Sequence, residues 1–227
     1  MSQGEIGLTL LDTVEVETGP QPRSTVIWLH GLGADGHDFE AVVPDLVRPG
    51  ERALRFVLPH APKRPVTING GMSCRAWYDI VGFERHIAQD ERGIRASAAD
   101  ILELIRRENE RGISTDRIVL AGFSQGGAMA LFTGTRATEK LAGIIGLSCY
   151  MVLGSTLAAE HSAVNQTTPI FVAHGTRDPV VDVRLGDEAR RLLEEAGYSV
   201  TWHSYSIPHS VSPEELTHVA AWLRRVL

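Results

Sequence analysis

The sequence predicts an α/β fold, a mostly parallel sheet with helices on its faces, and three observations carry that reading. Short apolar runs rich in β-branched residues alternate with longer runs of helical period. Several of the short runs stop at once in Gly, Pro or Asp, as strands do where they hand over to loops. The length of 227 residues and the 43% apolar content suit an ordinary buried core rather than a disordered chain or a fibrous repeat.

Residues 6 to 18 alternate apolar and polar and end at Gly19-Pro20, which predicts a leading strand or hairpin at the sheet edge. Buried strands are predicted over Thr25 to His30, Leu54 to Leu58, Arg117 to Phe123, Gly143 to Ser148, Ile170 to His174 and Val200 to Ile207. From about His60 to Arg92 the rhythm fails: Met72, Trp77, Tyr78, Ile80, Phe83 and His86 follow no long period. So apolar a loop is expected to form a binding wall or lid, the alternative being a packed excursion.

The clearest helix runs from about Ile94 to Glu110, where Ile94, Ala98, Ile101, Leu102 and Ile105 share one face. A helical run from Gly127 to Phe132 follows the strand ending at Phe123. Leu185 to Ala196 forms another helix and stops at Gly197, a natural C′ residue. In the last helix Ser212 reads as N-cap, Pro213 as N1 and Glu215 as N3 of a capping box, so that hydroxyl and carboxylate reciprocally satisfy orphan amides. No repeat or linker divides the chain, and 1–227 reads as a single domain.

The formal charge of −6 comes from 22 basic and 28 acidic residues spread along the chain, which offers no attractive field to nucleic acid or anionic lipid. Two cysteines, Cys74 and Cys149, are too few for a disulfide scaffold or for a zinc site without other ligands. No apolar run approaches the roughly 18 to 20 residues that span a bilayer. The segment before Arg23 lacks the order of a signal peptide. A cytoplasmic chain without stable membrane insertion is the expectation.

The strongest local signal is Gly122-Phe123-Ser124-Gln125-Gly126, a Gly-x-Ser-x-Gly between a predicted strand and a helical run. With 22 Gly and 14 Ser, the bare pattern arises by chance roughly 0.1 times in such a chain, so its context must carry the weight. A serine on a sharp strand-to-helix turn lifts its hydroxyl clear of the sheet, and small flanking residues let strand and helix pass. Such a nucleophile needs a base and an orienting carboxylate, in the chain order Ser, Asp, His for an α/β-hydrolase. Asp178 lies just past the strand Ile170 to His174, and His209 just past the last strand. Both sit where open α/β sheets place their sites.

Asp182 competes as the acid, although its place also suits a helix start, and His174 competes as the base, although a packed turn residue explains it equally. Cys149 reads as a buried thiol rather than a nucleophile, since no base or glycine elbow accompanies it. No metal-ligand spacing and no phosphate loop is seen, so no cofactor is expected. The oxyanion hole of such a site uses the amide after the nucleophile, here Gln125, and one from the loop after an early strand, here His30-Gly31-Leu32-Gly33.

These motifs resemble the phospholipase/carboxylesterase family, which includes the acyl-protein thioesterases. The resemblance rests on His30 to Phe39, Gly122 to Gly127, His174-Gly175 before Asp178-Pro179-Val180-Val181, and His209. Leu58 to Pro62 and Met72 to Asp79 are most similar to the family's bacterial carboxylesterases. It implies an α/β-hydrolase without a cap domain that cleaves carboxylic esters or thioesters of short to medium acyl chains. Leu32 and Gln125 are then the amide donors, and Trp77, Tyr150 and Val181 border the substrate. Tyr150 stands where many relatives carry Trp, near the expected acyl wall. The implied partner is a small-molecule or lipid ester, or an acylated protein, with lysophospholipase and acyl-protein thioesterase activities as alternatives. A homodimer through the apolar stretch is also allowed. An inactive hydrolase-fold receptor for an acyl ligand would lack a triad member, and none is missing.

Overall fold

The computed structural model describes residues 10–48, 50–82 and 88–227. In chain order its strands are β1 (Thr13–Glu17), β2 (Thr25–Leu29), β3 (Arg55–Pro59), β4 (Lys63–Val66), β5 (Met72–Arg75), β6 (Ile118–Phe123), β7 (Gly143–Leu147), β8 (Ile170–Gly175) and β9 (Val200–Tyr205). Its helices are α1 (Val43–Leu46), α2 (Glu91–Glu110), α3 (Gln125–Arg136), α4 (Leu157–Glu160), α5 (Val183–Glu195) and α6 (Pro213–Val226). The main sheet runs β1-β3-β2-β6-β7-β8-β9, parallel throughout except for β1, which lies antiparallel on β3. This is the α/β-hydrolase architecture, and no separate cap is evident among the described residues.

The period-2 alternation of each central strand divides the core in two. Ile27, Leu29, Val57, Leu120 and Val172 face α2, α3 and α5, meeting Ile101, Leu104, Met129, Leu131 and Leu193. Val26, Trp28, Phe56, Val119 and Phe171 face the other way, onto Leu46 of α1 and Leu216, Val219 and Trp222 of α6. Strands covered on both faces read as continuous apolar runs, which is why they were visible in the sequence.

Several elements depart from expectation. The leading strand is realised as β1, at the predicted edge, while residues 6–9 lie outside the described residues. β9 ends at Tyr205 rather than Ile207, because the N–H of Ile207 turns back to the carbonyl of Tyr205 and Pro208 has none to offer. α2 begins three residues early, at Glu91, where Asp90 caps the N–H of Gly93 at 2.9 Å. α5 closes as expected: Gly197 adopts φ +86°, its N–H reaches the carbonyl of Glu194 and that of Tyr198 reaches Leu193. The capping box of α6 forms as expected around a buried carboxyl: Ser212 accepts from the N–H of Glu215 at 3.1 Å, and the Glu215 carboxyl faces the backbone N–H of Ser212.

The irregular stretch is packed in its first half, while Tyr78 to Gly82 and residues 88–89 line a cavity. β4 and β5 form an antiparallel hairpin, and Ala76, Trp77, Tyr78 and Ile80 are buried in the core. Phe83 and His86 lie outside the described residues.

The strand order reverses between β2 and β6, since β3 lies on one side of β2 and β6 to β9 on the other. Loops leaving the carboxyl ends of two such strands diverge and open a crevice there. Leu29 and Gly122 are paired at that point, so the loop after β2 and the turn after β6 emerge side by side.

Candidate active site

Ser124 stands at the end of β6 with φ +54° and ψ −122°, a conformation that costs an L-residue about 1–3 kcal/mol and that the surrounding packing must hold. Its glycine neighbours explain how. A Cβ on Gly122 would lie 2.3 Å from the carbonyl carbon of Gly126, and one on Gly126 would lie 2.2 Å from the carbonyl oxygen of Leu29. The N–H of Ser124 is tied to the carbonyl of Leu147 at 2.8 Å, which fixes the turn to the neighbouring strand.

The structure brings the three separated residues of the predicted triad together. Nε2 of His209 lies 3.0 Å from Oγ of Ser124, and Nδ1 lies 2.6 Å from Oδ2 of Asp178. The Asp178 side chain is fully buried and that of His209 is 16% exposed, so the line runs from the interior to the crevice. A carboxylate accepts, so Nδ1 of His209 carries the proton and Nε2 presents a lone pair to the serine hydroxyl. Asp178 is itself held by the N–H groups of Val180 and Val181 on Oδ1, at 2.8 and 2.9 Å. β8 and β9 are adjacent, and a Cβ on Gly175 would lie 2.5 Å from the carbonyl oxygen of Ile207, which brings the chain before His209 against the turn that carries Asp178. The His209 ring packs on Phe123, centroids 4.8 Å apart, and Phe123 on Phe39.

The competitors separate by environment. Asp182 is the N-cap of α5, bound to the N–H and guanidinium of Arg184, which hold its carboxyl down at about 2. Burial pushes the Cys149 thiol well up, so it is a poor nucleophile. His174 is fully buried, and burial lowers its pKa. His30 is buried too, with a settled tautomer: Nδ1 donates to the carbonyl of Gly31 at 2.7 Å and Nε2 accepts from the N–H of Ala61 at 3.0 Å.

That histidine braces the loop carrying Leu32. Gly33 donates its N–H to the carbonyl of Arg75 at 2.9 Å, and Ala34 bonds back to Gly31. Among the described residues neither the N–H of Leu32 nor that of Gln125 has a partner, and Gln125, as the first residue of α3, has none within its helix. Gly31 is in contact range of the nucleophile: a Cβ there would lie 3.3 Å from Cβ of Ser124. Two N–H donors thus lie on the two loops that flank the hydroxyl.

Of the three residues expected to border substrate, the structure turns two inward. Trp77 is fully buried, its indole N–H donating to the carbonyl of His30 at 2.9 Å, so it props the loop of Leu32. Val181 is 1% exposed and serves through its backbone. Tyr150 lines a cavity of about 520 Å³ with Tyr78, Ile80, Met151, Leu153 and Leu192, and its hydroxyl lies 2.8 Å from that of Tyr78. Burial raises the Tyr150 hydroxyl to about 12, so it stays protonated at neutral pH. Val180, in the turn of Asp178, and Val81, on the cavity wall, are among the exposed apolar side chains, at 53% and 47%.

Residues 11–227 match the family described as phospholipase/carboxylesterase. Among curated proteins the chain is 44% identical over 209 residues to acyl-protein thioesterase 1 of Neurospora crassa, covering 88% of this chain and 85% of that one. It is 40% identical over 216 residues to acyl-protein thioesterase 1 of Gibberella zeae, covering 91% and 92%. Among solved structures, Zea mays acyl-protein thioesterase 2 superposes with a TM-score of 0.82 at 29% identity, over 94% of this chain and 98% of that one. Arabidopsis thaliana SOBER1 gives 0.84 at 29% identity, over 90% and 99%. No described helix is long and apolar enough to cross a membrane.

Proposed function

Because the chain belongs to the phospholipase/carboxylesterase family, and is therefore a hydrolase, we propose that it cleaves carboxylic esters and thioesters of short to medium acyl chains through an acyl-enzyme on Ser124. The observation that supports this most is the unbroken hydrogen-bonded line from Ser124 through His209 to buried Asp178. In this reading residues 1–227 form one hydrolase domain.

Oγ of Ser124 attacks the acyl carbonyl carbon while Nε2 of His209 takes the hydroxyl proton, and the carbonyl π electrons move onto oxygen. The N–H groups of Leu32 and Gln125 receive that oxyanion. Collapse breaks the bond to the alcohol or thiol, which leaves with the proton from His209. Water then enters, gives its proton to His209 and releases the acid by the same route in reverse. Asp178 keeps the imidazole in its Nδ1–H tautomer and stabilises its cation. A sulfur leaving group needs no change in this machinery, and the names of the fungal relatives favour an acylated protein as a second reading of the substrate.

Fluorophosphonate labelling tests the nucleophile. One adduct is expected, on Ser124, and Ser124→Ala should lose it together with about 10⁴- to 10⁶-fold in kcat while remaining folded. Near-wild-type hydrolysis by that variant would remove the reading. Relative rates on short-chain esters, an S-acylated peptide and a lysophospholipid then distinguish the substrate classes.

A further inference from the structure

His174 is a buried group that the proposed chemistry leaves unused. Its Nε2 lies 2.8 Å from the carbonyl oxygen of Val181 and 3.4 Å from Oδ2 of Asp178, the oxygen that also receives His209. A carbonyl only accepts, so Nε2 carries a proton and donates it to Val181, while Oδ2 of Asp178 lies beside the same nitrogen at ion-pair range without a hydrogen bond of its own. Nδ1 has no partner among the described residues and presses on Gly186, where an added Cβ would lie 2.2 Å away. With a second proton on Nδ1 unanswered, the ring is held neutral, in one tautomer and one orientation. The charged or titratable groups around it are Asp178, His209 and Asp182.

Two independent features point to a purpose for this placement. Helix α5 carries a glycine at its fourth residue, a weak helix former, where any larger residue would collide with the imidazole. The ring also braces the four-residue turn from Asp178 to Val181: it holds the carbonyl of Val181 and lies 3.4 Å from the carboxylate, while the N–H of Val181 holds Oδ1. Oδ1 is therefore fixed by backbone that His174 braces, and Oδ2 by His209.

We infer that His174 is a positioning residue, whose Nε2–H holds the carbonyl of Val181 and so fixes the turn whose N–H groups keep Asp178 on the axis of His209. The inference rests on the triad reading above, and it makes His174 act only through Asp178.

A double-mutant cycle separates the two. His174→Leu fills the space without a donor and is expected to lower kcat about 10- to 100-fold with KM changed less than threefold. In an Asp178→Asn background the same substitution should change kcat less than threefold. His174→Gln, whose amide N–H reaches about as far as Nε2, should recover most of the loss. If His174→Leu does not fold, His174→Asn, too short for that reach, replaces it in the cycle. Equal fold-losses in both backgrounds, or no recovery with Gln, overturn the inference and leave the triad standing. No loss from Asp178→Asn alone removes the triad reading, and this inference with it.

Discussion

Gln125 and Trp77 are joined by a buried hydrogen bond in which the N–H of Trp77 donates to Oε1 of Gln125 at 2.8 Å; Nε2 of the same amide donates to the carbonyl of Tyr78, also at 2.8 Å. One side chain thus pins the segment after β5 to the first residue of α3, directly beside Ser124. Trp77 then passes the constraint to the loop of Leu32 through its indole bond to His30. The two loops that carry the proposed oxyanion donors are coupled through this route.

Gln125→Ala should therefore do more than remove a surface amide. It leaves a buried N–H and a buried carbonyl without partners, and a loss of about 2–4 kcal/mol in stability is expected. Because the donor loops shift by fractions of an ångström, kcat should also fall about 10- to 100-fold. Urea unfolding and steady-state kinetics measure both; a variant with wild-type kcat shows that the clasp does not govern the loops.

The acid is assigned by Asp178 against Asp182. Asp178→Asn should reduce kcat by up to about 10⁴, because the amide favours the wrong imidazole tautomer. Asp182→Ala should leave kcat within about twofold and lower stability by ~1 kcal/mol, since it removes only the N-cap of α5. The reverse ranking of the two in kcat reassigns the role.

Gly126→Ala and Gly122→Ala test the elbow's packing. Each new methyl carbon meets backbone at 2.2 or 2.3 Å, which no rotamer change relieves. A loss of about 3 kcal/mol or more, or failure to accumulate folded protein, is expected. Thermal unfolding midpoints close to wild type in both variants show that strand and helix do not pass as tightly as described.

Glu215 makes stability depend on pH. Its carboxyl is buried, and burial raises it from 4.5 to about 7 against the opposing pull of the backbone N–H of Ser212. The folded chain then keeps a proton that the unfolded chain has released between about pH 4.5 and 7. Stability is full below that window and falls as pH rises through it, by on the order of 3 kcal/mol in total. Glu215→Gln should be more stable than wild type at pH 8 and nearly equal to it at pH 4.5. Parallel curves of unfolding midpoint against pH for the two proteins contradict this account.

Strands that lie under helices on both faces, and helices with one apolar stripe, declare themselves because local sequence must match those periods whatever the neighbours are. The same holds for the elbow, where backbone contacts near 2 Å admit glycine alone at 122 and 126. Glu215 shows where local rules stop: its spacing from Ser212 suits a capping box, but that the carboxyl is buried there, and its pKa raised, is decided by the tertiary fold. Trp77 shows the same for the site. An aromatic in an apolar loop reads as a binding wall, but its indole proton found a carbonyl on β2's exit loop, 47 residues away in sequence.

The sequence by itself determined the α/β class, the family resemblance, the glycine-flanked turn at Ser124 and the strand-end places of the candidate acids and bases, since each is written in a short motif or a local period. Only the tertiary structure decided which carboxylate meets which imidazole. The reversal of strand order between β2 and β6 opens the crevice, and the adjacency of β8 and β9 places Asp178 2.6 Å from His209 while Asp182 turns away to cap a helix. Those contacts join residues separated by 31 and 85 positions, and such distances are set by how the sheet is ordered and packed.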